Sequence, residues 1–319
     1  MFLPLLVNRS ACGIILKVSM KINLNFLAIL AGLALVVVLP FFVYLVRSPV
    51  LIVTDQAFIG LYGKDRIRRE ASVSSRAMFR SVKTVVIAND AGDDIVRFAV
   101  DDVSKRPFCV IFPLRFARPA GLYREQYPEV PVILLEGRYP ENSSPSAFGI
   151  GGGSSDGYFI YKTDIDADFY RAAVAAAVLD REKNGKVAVF FEPSIQRQAM
   201  EVFLKALNDV GKPLETMFFT SFSQFSEISD LSCVVLAGSG VEYLEKKTGI
   251  PVILFTWLDP SLIPEDVVLV VNDSPWAQAV QAVKMAKAGE GGALIRSKFE
   301  LQKNKKFSRR ALRKIQKMV

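Results

Sequence analysis

Fourteen side chains stand where an apolar, strand-like run gives way to a loop, and their types suit gripping a small polar molecule. Asp55 and Phe58 follow Val50–Thr54, Asn89 and Asp90 follow Thr84–Ala88, and Arg115 follows Phe108–Phe112. Glu136 and Arg138 end Val132–Leu135. Further on, Glu192 follows Val187–Phe191, and Gly238 and Ser239 follow Cys233–Ala237. Trp257 and Asp259 follow Val252–Phe255, and Asn272 and Asp273 follow Val267–Val271. Carboxylates and amides hydrogen-bond hydroxyls, and a guanidinium clamps a carboxylate or phosphate. Phe58 and Trp257 offer flat faces to a base or a sugar ring. Glycine at 238 lets a ligand approach the backbone. Each residue also has a plainer role open to it: core packing for Phe58, turns or helix caps for Asn89, Asp90, Asn272 and Asp273, a surface ion pair for Arg115, and a strand-to-helix turn for Gly238.

Composition argues for binding over catalysis. The chain has 319 residues and no histidine. That excludes Ser-His-Asp and Cys-His nucleophilic centres and His-ligated zinc. The cysteines Cys12, Cys109 and Cys233 have no metal-ligand spacing; the last two lie in apolar runs and read as buried thiols. No cofactor is expected. The run Gly149–Gly157 is rich in glycine but lacks a Gly-Lys-Ser/Thr ending, and a strand-like segment, Tyr158–Tyr161, follows it instead of a helix. It reads as a loop and not as a phosphate cradle. Asn142-Ser143-Ser144 has the form of a glycosylation acceptor, a triplet common by chance.

The elements that must position these residues alternate. Short, nearly continuous aliphatic runs, as in strands buried on both faces, are separated by stretches with helical spacing. Examples of the latter are Ile95–Val103, Asp166–Lys183, Ser194–Val210, Val241–Thr248 and Pro275–Ala288. Repeated β-α units with right-handed crossovers predict doubly wound parallel sheets, which bind ligands beyond the carboxyl ends of their strands. About 270 residues suit two lobes better than one core. The expected division is 49–160 plus 272–300 for the first lobe and 161–271 for the second.

Ahead of these lobes lies a different segment. Leu24–Val46 is a run of 23 residues with no charged side chain, long enough as a helix to span the roughly 30 Å hydrocarbon core of a bilayer. It exceeds a cleavable signal core and lacks an Ala-x-Ala site. It is therefore expected to be an uncleaved transmembrane anchor, preceded by a cytoplasmic or non-structural N-terminus over residues 1–23. Lys17 and Lys21 before it, against Arg47 after it, place the C-terminal domain on the exported side of the cytoplasmic membrane. At the other end, residues 296–319 hold ten Lys or Arg and one acid, against a net charge of +8 for the whole chain. The basic tail, 301–319, is either a solvated helix or a contact for anionic lipid or a partner. Nucleic acid is not an expected partner for an exported domain.

The run Tyr127-Pro128-Glu129-Val130-Pro131-Val132-Ile133-Leu134-Leu135-Glu136-Gly137 resembles a conserved-order segment of type I periplasmic binding proteins. Val50–Asp55 with Phe58, Pro107–Pro113, Tyr161–Asp164 with the small-residue helix after it, and Pro251–Asp259 followed by Val267–Val271 and Ala277–Val283 resemble other parts of that family in order and spacing. The ending in Lys-Ala-Gly is most similar to the basic membrane protein group, whose members bind nucleosides. The resemblance implies two doubly wound lobes joined by a hinge, closing on a nucleoside or sugar and serving an uptake system whose permease is made of separate chains. The alternative is a receptor or interaction domain that keeps the fold and has lost or changed the ligand.

Overall fold

A computed structural model describes residues 46–136, 158–180 and 185–302, apart from 227 and 229, together with ten positions between 29 and 44. Cys12, residues 137–157 with Arg138, Asn142 and the glycine-rich run, and the basic tail from 303 lie outside the described residues. The chain divides into two compact units, Met1–Val46 and Arg47–Val319. In the first, the described residues are helical. Ile29, Leu33, Leu35, Val36, Val38, Phe42 and Val46 are each more than half exposed. Among the described residues no helix is long and apolar enough to cross a membrane, and the expected span Leu24–Val46 lies partly outside them.

The second unit holds two six-stranded sheets. In the first, β1 (Val50–Asp55) lies between the edge strand β2 (Val82–Ile87) and β3 (Cys109–Pro113). Beyond β3 come β4 (Val132–Glu136), β5 (Tyr158–Thr163) and the short β11 (Leu294–Ile295). All pairings are parallel, with Val50 level with both Val82 and Cys109. The sequence dictates this: Val50–Asp55 is buried throughout, as only a strand covered on both faces can be. One face is covered by α3 (Asp93–Val103) and α4 (Ala117–Gln126), through Val96, Val100, Ala120 and Tyr123. The other is covered by α1 (Gln56–Tyr62), α2 (Lys64–Met78) and α7 (Pro275–Lys287), through Phe58, Tyr62, Ile67, Trp276 and Ala279.

The second sheet has the order β12 (Lys298–Leu301), β10 (Val267–Asn272), β9 (Val252–Phe255), β8 (Leu231–Ala237), β6 (Lys186–Phe191), β7 (Glu215–Phe219). Helices α5 (Ile165–Leu179) and α6 (Gln196–Asp209) cover one face. On the other, the expected helix Val241–Thr248 is a 3-10 helix, Val241–Lys246, closed off by Gly240 and Lys247 in left-handed conformations. Left-handed backbone at both ends confines the helical run to six residues, a short connector of the kind 3-10 turns supply. Aromatic packing completes that face, with Phe190, Phe219 and Phe225 in mutual ring contact and Tyr243 edge-on to Phe225.

Three segments join the lobes: the passage from β5 into α5, from β10 into α7, and from β11 into β12. The last crosses at Arg296-Ser297. Leu294–Ile295 ends the first sheet, and Lys298–Leu301 adds antiparallel to β10 in the second. The second lobe therefore takes residues 298–300, expected in the first, and Leu301, expected in the tail, while the first keeps Tyr161–Thr163, expected in the second. Ser297 is pinned at the crossing. Its hydroxyl donates to the fully buried Asp168, its N–H donates to Asp168 at 3.1 Å, and its carbonyl accepts from Arg171 at 2.8 Å.

Candidate functional site

The carboxyl ends of the strands of both sheets open on one cavity of about 280 Å³. The first lobe supplies Phe58 from the first turn of α1, Leu135 from the end of β4, and Ser274 with Pro275 from the start of α7. The second supplies Glu192 after β6, Gly238 after β8, and the run Phe255-Thr256-Trp257-Leu258 leaving β9. Asp273 lies on the crossing after β10. This is where a doubly wound fold collects loops, because each parallel strand hands its chain to a loop at the same end.

Five of the residues expected from sequence thus line the cavity: Phe58, Glu192, Gly238, Trp257 and Asp273. Phe58 is almost wholly buried and stacks on Tyr62, with ring centroids 5.0 Å apart and planes 17° from parallel. Its other neighbour is Trp257 at 4.9 Å and 36°. The expected pair of stacking residues therefore touch each other, leaving no space for a ligand ring between them. They form one aromatic wall built from both lobes.

Gly238 has φ +101°, a conformation reserved in practice for glycine, and a Cβ there would lie 2.5 Å from Cγ of Glu192. The glycine makes room for the glutamate side chain. Ser239 turns away, its hydroxyl donating to the Phe191 carbonyl at 3.1 Å.

The other expected residues serve the framework. Asp55 caps α1, accepting from the Phe58 N–H at 2.7 Å, and pairs with Arg115 at 2.9 Å. Two candidates are thereby committed to each other. Asn89 accepts from the Ala57 N–H at 2.9 Å, a second cap on α1, and Asp90 is exposed in the turn beside it. Glu136 pairs with Lys162 at 3.2 Å. Asn272, fully buried, donates to Glu300 at 2.9 Å and accepts from the Ser274 N–H at 3.0 Å. Arg138 lies outside the described residues.

Asp259 caps the short 3-10 helix Pro260–Leu262 and faces Gly63 of the first lobe. Partial burial pushes its carboxyl up. Two hydrogen bonds from Ser261 and the nearby Arg66 and Arg69 outweigh this and hold it below the ordinary carboxylate value.

Sequence reasoning missed Arg66. Its guanidinium is buried, ion-pairs with Glu300 of β12, donates to the Leu258 carbonyl at 2.8 Å, and lies 4.2 Å from the Tyr62 ring centroid. A continuous series, Glu300–Arg66–Tyr62–Phe58–Trp257, thus ties the second sheet to the first lobe and then to the cavity wall. Only the alternation Lys298-Phe299-Glu300-Leu301 hinted at an edge strand there, and nothing local linked it to position 66. A second, more open groove of about 680 Å³ is lined in part by Arg66, Arg69, Asp259 and Glu300. Among the described residues no cluster of three His, Cys, Asp or Glu side chains could hold a metal ion.

No family model and no curated protein matches the chain. Solved structures do. A protein from Bacillus halodurans, described as a transcriptional activator of the comK gene, aligns with a TM-score of 0.53 and 13% identity over 85% of this chain and 95% of its own. An ABC transporter solute-binding protein from Conexibacter woesei aligns at 0.53 and 10% over 85% and 94%. AraP, an arabinose-binding protein from Geobacillus stearothermophilus, aligns at 0.53 and 14% over 80% and 97%. At such identities the likeness establishes the fold, that of type I periplasmic binding proteins, and fold alone does not assign a ligand.

Proposed function

We propose that this chain is a membrane-tethered solute-binding protein that closes its two lobes on a small, non-anionic solute and presents it to a separate permease. The observation that carries this reading is the cavity at the facing strand ends, walled by Phe58 and Trp257 from opposite lobes and bearing Glu192 and Asp273 but no lysine or arginine. At about 280 Å³ it sits at the lower edge of ligand pockets, which run from roughly 300 to 1,000 Å³. A sugar or a compact nucleoside is of suitable size, and both AraP and the Conexibacter protein are binding proteins by description. A solute that touches both lobes favours the closed form by its differential affinity for it.

The tether rests on the uncharged run Leu24–Val46 and on the exposed apolar side chains of its described helical residues. Such side chains are stable in lipid and costly in water. The lysines before the run favour an exported binding domain.

A receptor or interaction domain that has lost its ligand is the second reading. One observation favours it: Asp55, Asn89, Arg115 and Asn272, all expected to meet a ligand, are spent on internal contacts. Thermal unfolding of the full-length chain in mild detergent, against sugars, nucleosides, amino acids and small peptides, separates the two. A ligand at 100 times its Kd stabilises the native state by about 2.7 kcal/mol, which moves Tm by several degrees. A shift with one class supports solute binding. A cooperative transition that none of them moves supports the second reading, once native mass spectrometry excludes a co-purified ligand.

A further inference from the structure

The chain carries a net charge of +8, yet the cavity is lined by two carboxylates and no cation. Arg115, the guanidinium that sequence placed near the cleft, is held at Asp55, 2.9 Å away. The Glu192 carboxylate has no hydrogen-bond or ionic partner among the described residues, although the residue is half-buried. A carboxylate taken partly out of water costs free energy until something pairs with it. The fold nevertheless makes space for it, since a Cβ at Gly238 would meet its side chain at 2.5 Å.

The aromatic wall has the same sign. Trp257, only partly buried, carries the negative pole of its ring quadrupole on its face and attracts a cation within about 6 Å, while Phe58, almost wholly buried and in ring contact with Tyr62 and Trp257, backs it. Hydroxyl groups that would suit a neutral polyol are fewer. Thr256 and Ser274 already accept backbone N–H groups, of Leu258 and Ala277 respectively, each at 3.2 Å.

From this agreement of charge and ring polarity we infer that the solute is a small organic ammonium ion, its positive charge met by Glu192 and by the Trp257 ring that Phe58 supports. The inference rests on the solute-binding reading of the same cavity and narrows its ligand.

The test compares matched ligands on the full-length protein in mild detergent: glucosamine against glucose, and choline against adenosine, by thermal unfolding and titration calorimetry. The expected result is binding of glucosamine or choline at least tenfold tighter than of glucose and adenosine. Glu192→Gln, which keeps size and removes charge, should weaken the cation at least tenfold while leaving the unliganded Tm within a degree or two. Should Glu192→Gln fail to fold, Trp257→Leu should produce the same selective loss. Binding of glucose or adenosine with no preference for the ammonium ligands, or cation binding indifferent to both substitutions, overturns the inference and leaves solute binding standing. Absence of binding by all four ligands and by the wider panel above overturns both.

Discussion

Three titratable side chains show how position in the fold sets residue chemistry. Burial pushes the Cys109 thiol up to about 12, with Arg80 and Lys287 offsetting part of the effect, and burial raises Cys233 likewise. Thiolate is the reactive form, so both should be inert in the native protein. A Cys12→Ser variant treated with a thiol reagent at pH 8 should show no rapid reaction when folded and two thiols in denaturant. A thiol reacting within minutes in the folded protein would contradict this. Asp259 makes the opposite case. Its folded value lies below the ordinary one, so it contributes stability above the unfolded value, near pH 3.9, and loses that contribution as pH falls through the depressed value. Asp259→Asn should therefore flatten the fall in urea-unfolding stability below about pH 4 and change little between pH 6 and 8. An acid limb unchanged by the substitution would remove Asp259 from that role. The cap itself was legible as an aspartate before Pro-Ser. Its nearness to Arg66 was not, because the two lie 193 positions apart.

Between elements, most of the organising work falls to positions with little local signature. Gly63 joins α1 to α2 with φ +96°, and a Cβ there would overlap the Asp259 carboxylate at 1.8 Å. Gly63→Ala should cost about 1–3 kcal/mol in unfolding free energy, from backbone strain and loss of the cap. Gly238→Ala should weaken solute binding more than it weakens the fold, since it displaces Glu192 in the cavity; the check is ligand titration beside thermal unfolding. Arg66→Met removes a buried charge and strands part of the environment of Glu300, which keeps Asn272 at 2.9 Å and Lys298 at 3.5 Å. The expected loss is about 3 kcal/mol in urea unfolding, together with weaker ligand binding, because Arg66 also holds the Leu258 carbonyl. Strands such as β1 and β10 could be read directly, as their apolar runs are buried without interruption. The helices α1 and α2 were not singled out from the polar stretch after Asp55. Nothing in the local sequence marks Arg296-Ser297 as a crossing between sheets.

For the whole molecule, the proposed tether makes a prediction of its own. Full-length protein should sediment with membranes and resist extraction by high salt and by alkaline carbonate, whereas a chain lacking residues 24–46 should appear in the soluble fraction. Release of the full-length protein by salt would point to surface attachment instead. The succession of buried strands and helices, the two-lobed α/β class and the strand-end placement of Phe58, Glu192, Gly238, Trp257 and Asp273 are legible along the chain. They follow from hydrophobic period and turn chemistry, which act over a few residues. Which strand-end residues face the cavity, and which spend themselves on caps and ion pairs, is settled by the packed lobes. Asp55 and Arg115, or Arg66 and Glu300, are 60 and 234 positions apart. Whether such groups meet a ligand or each other depends on distances that exist only once the sheets and their crossings have formed.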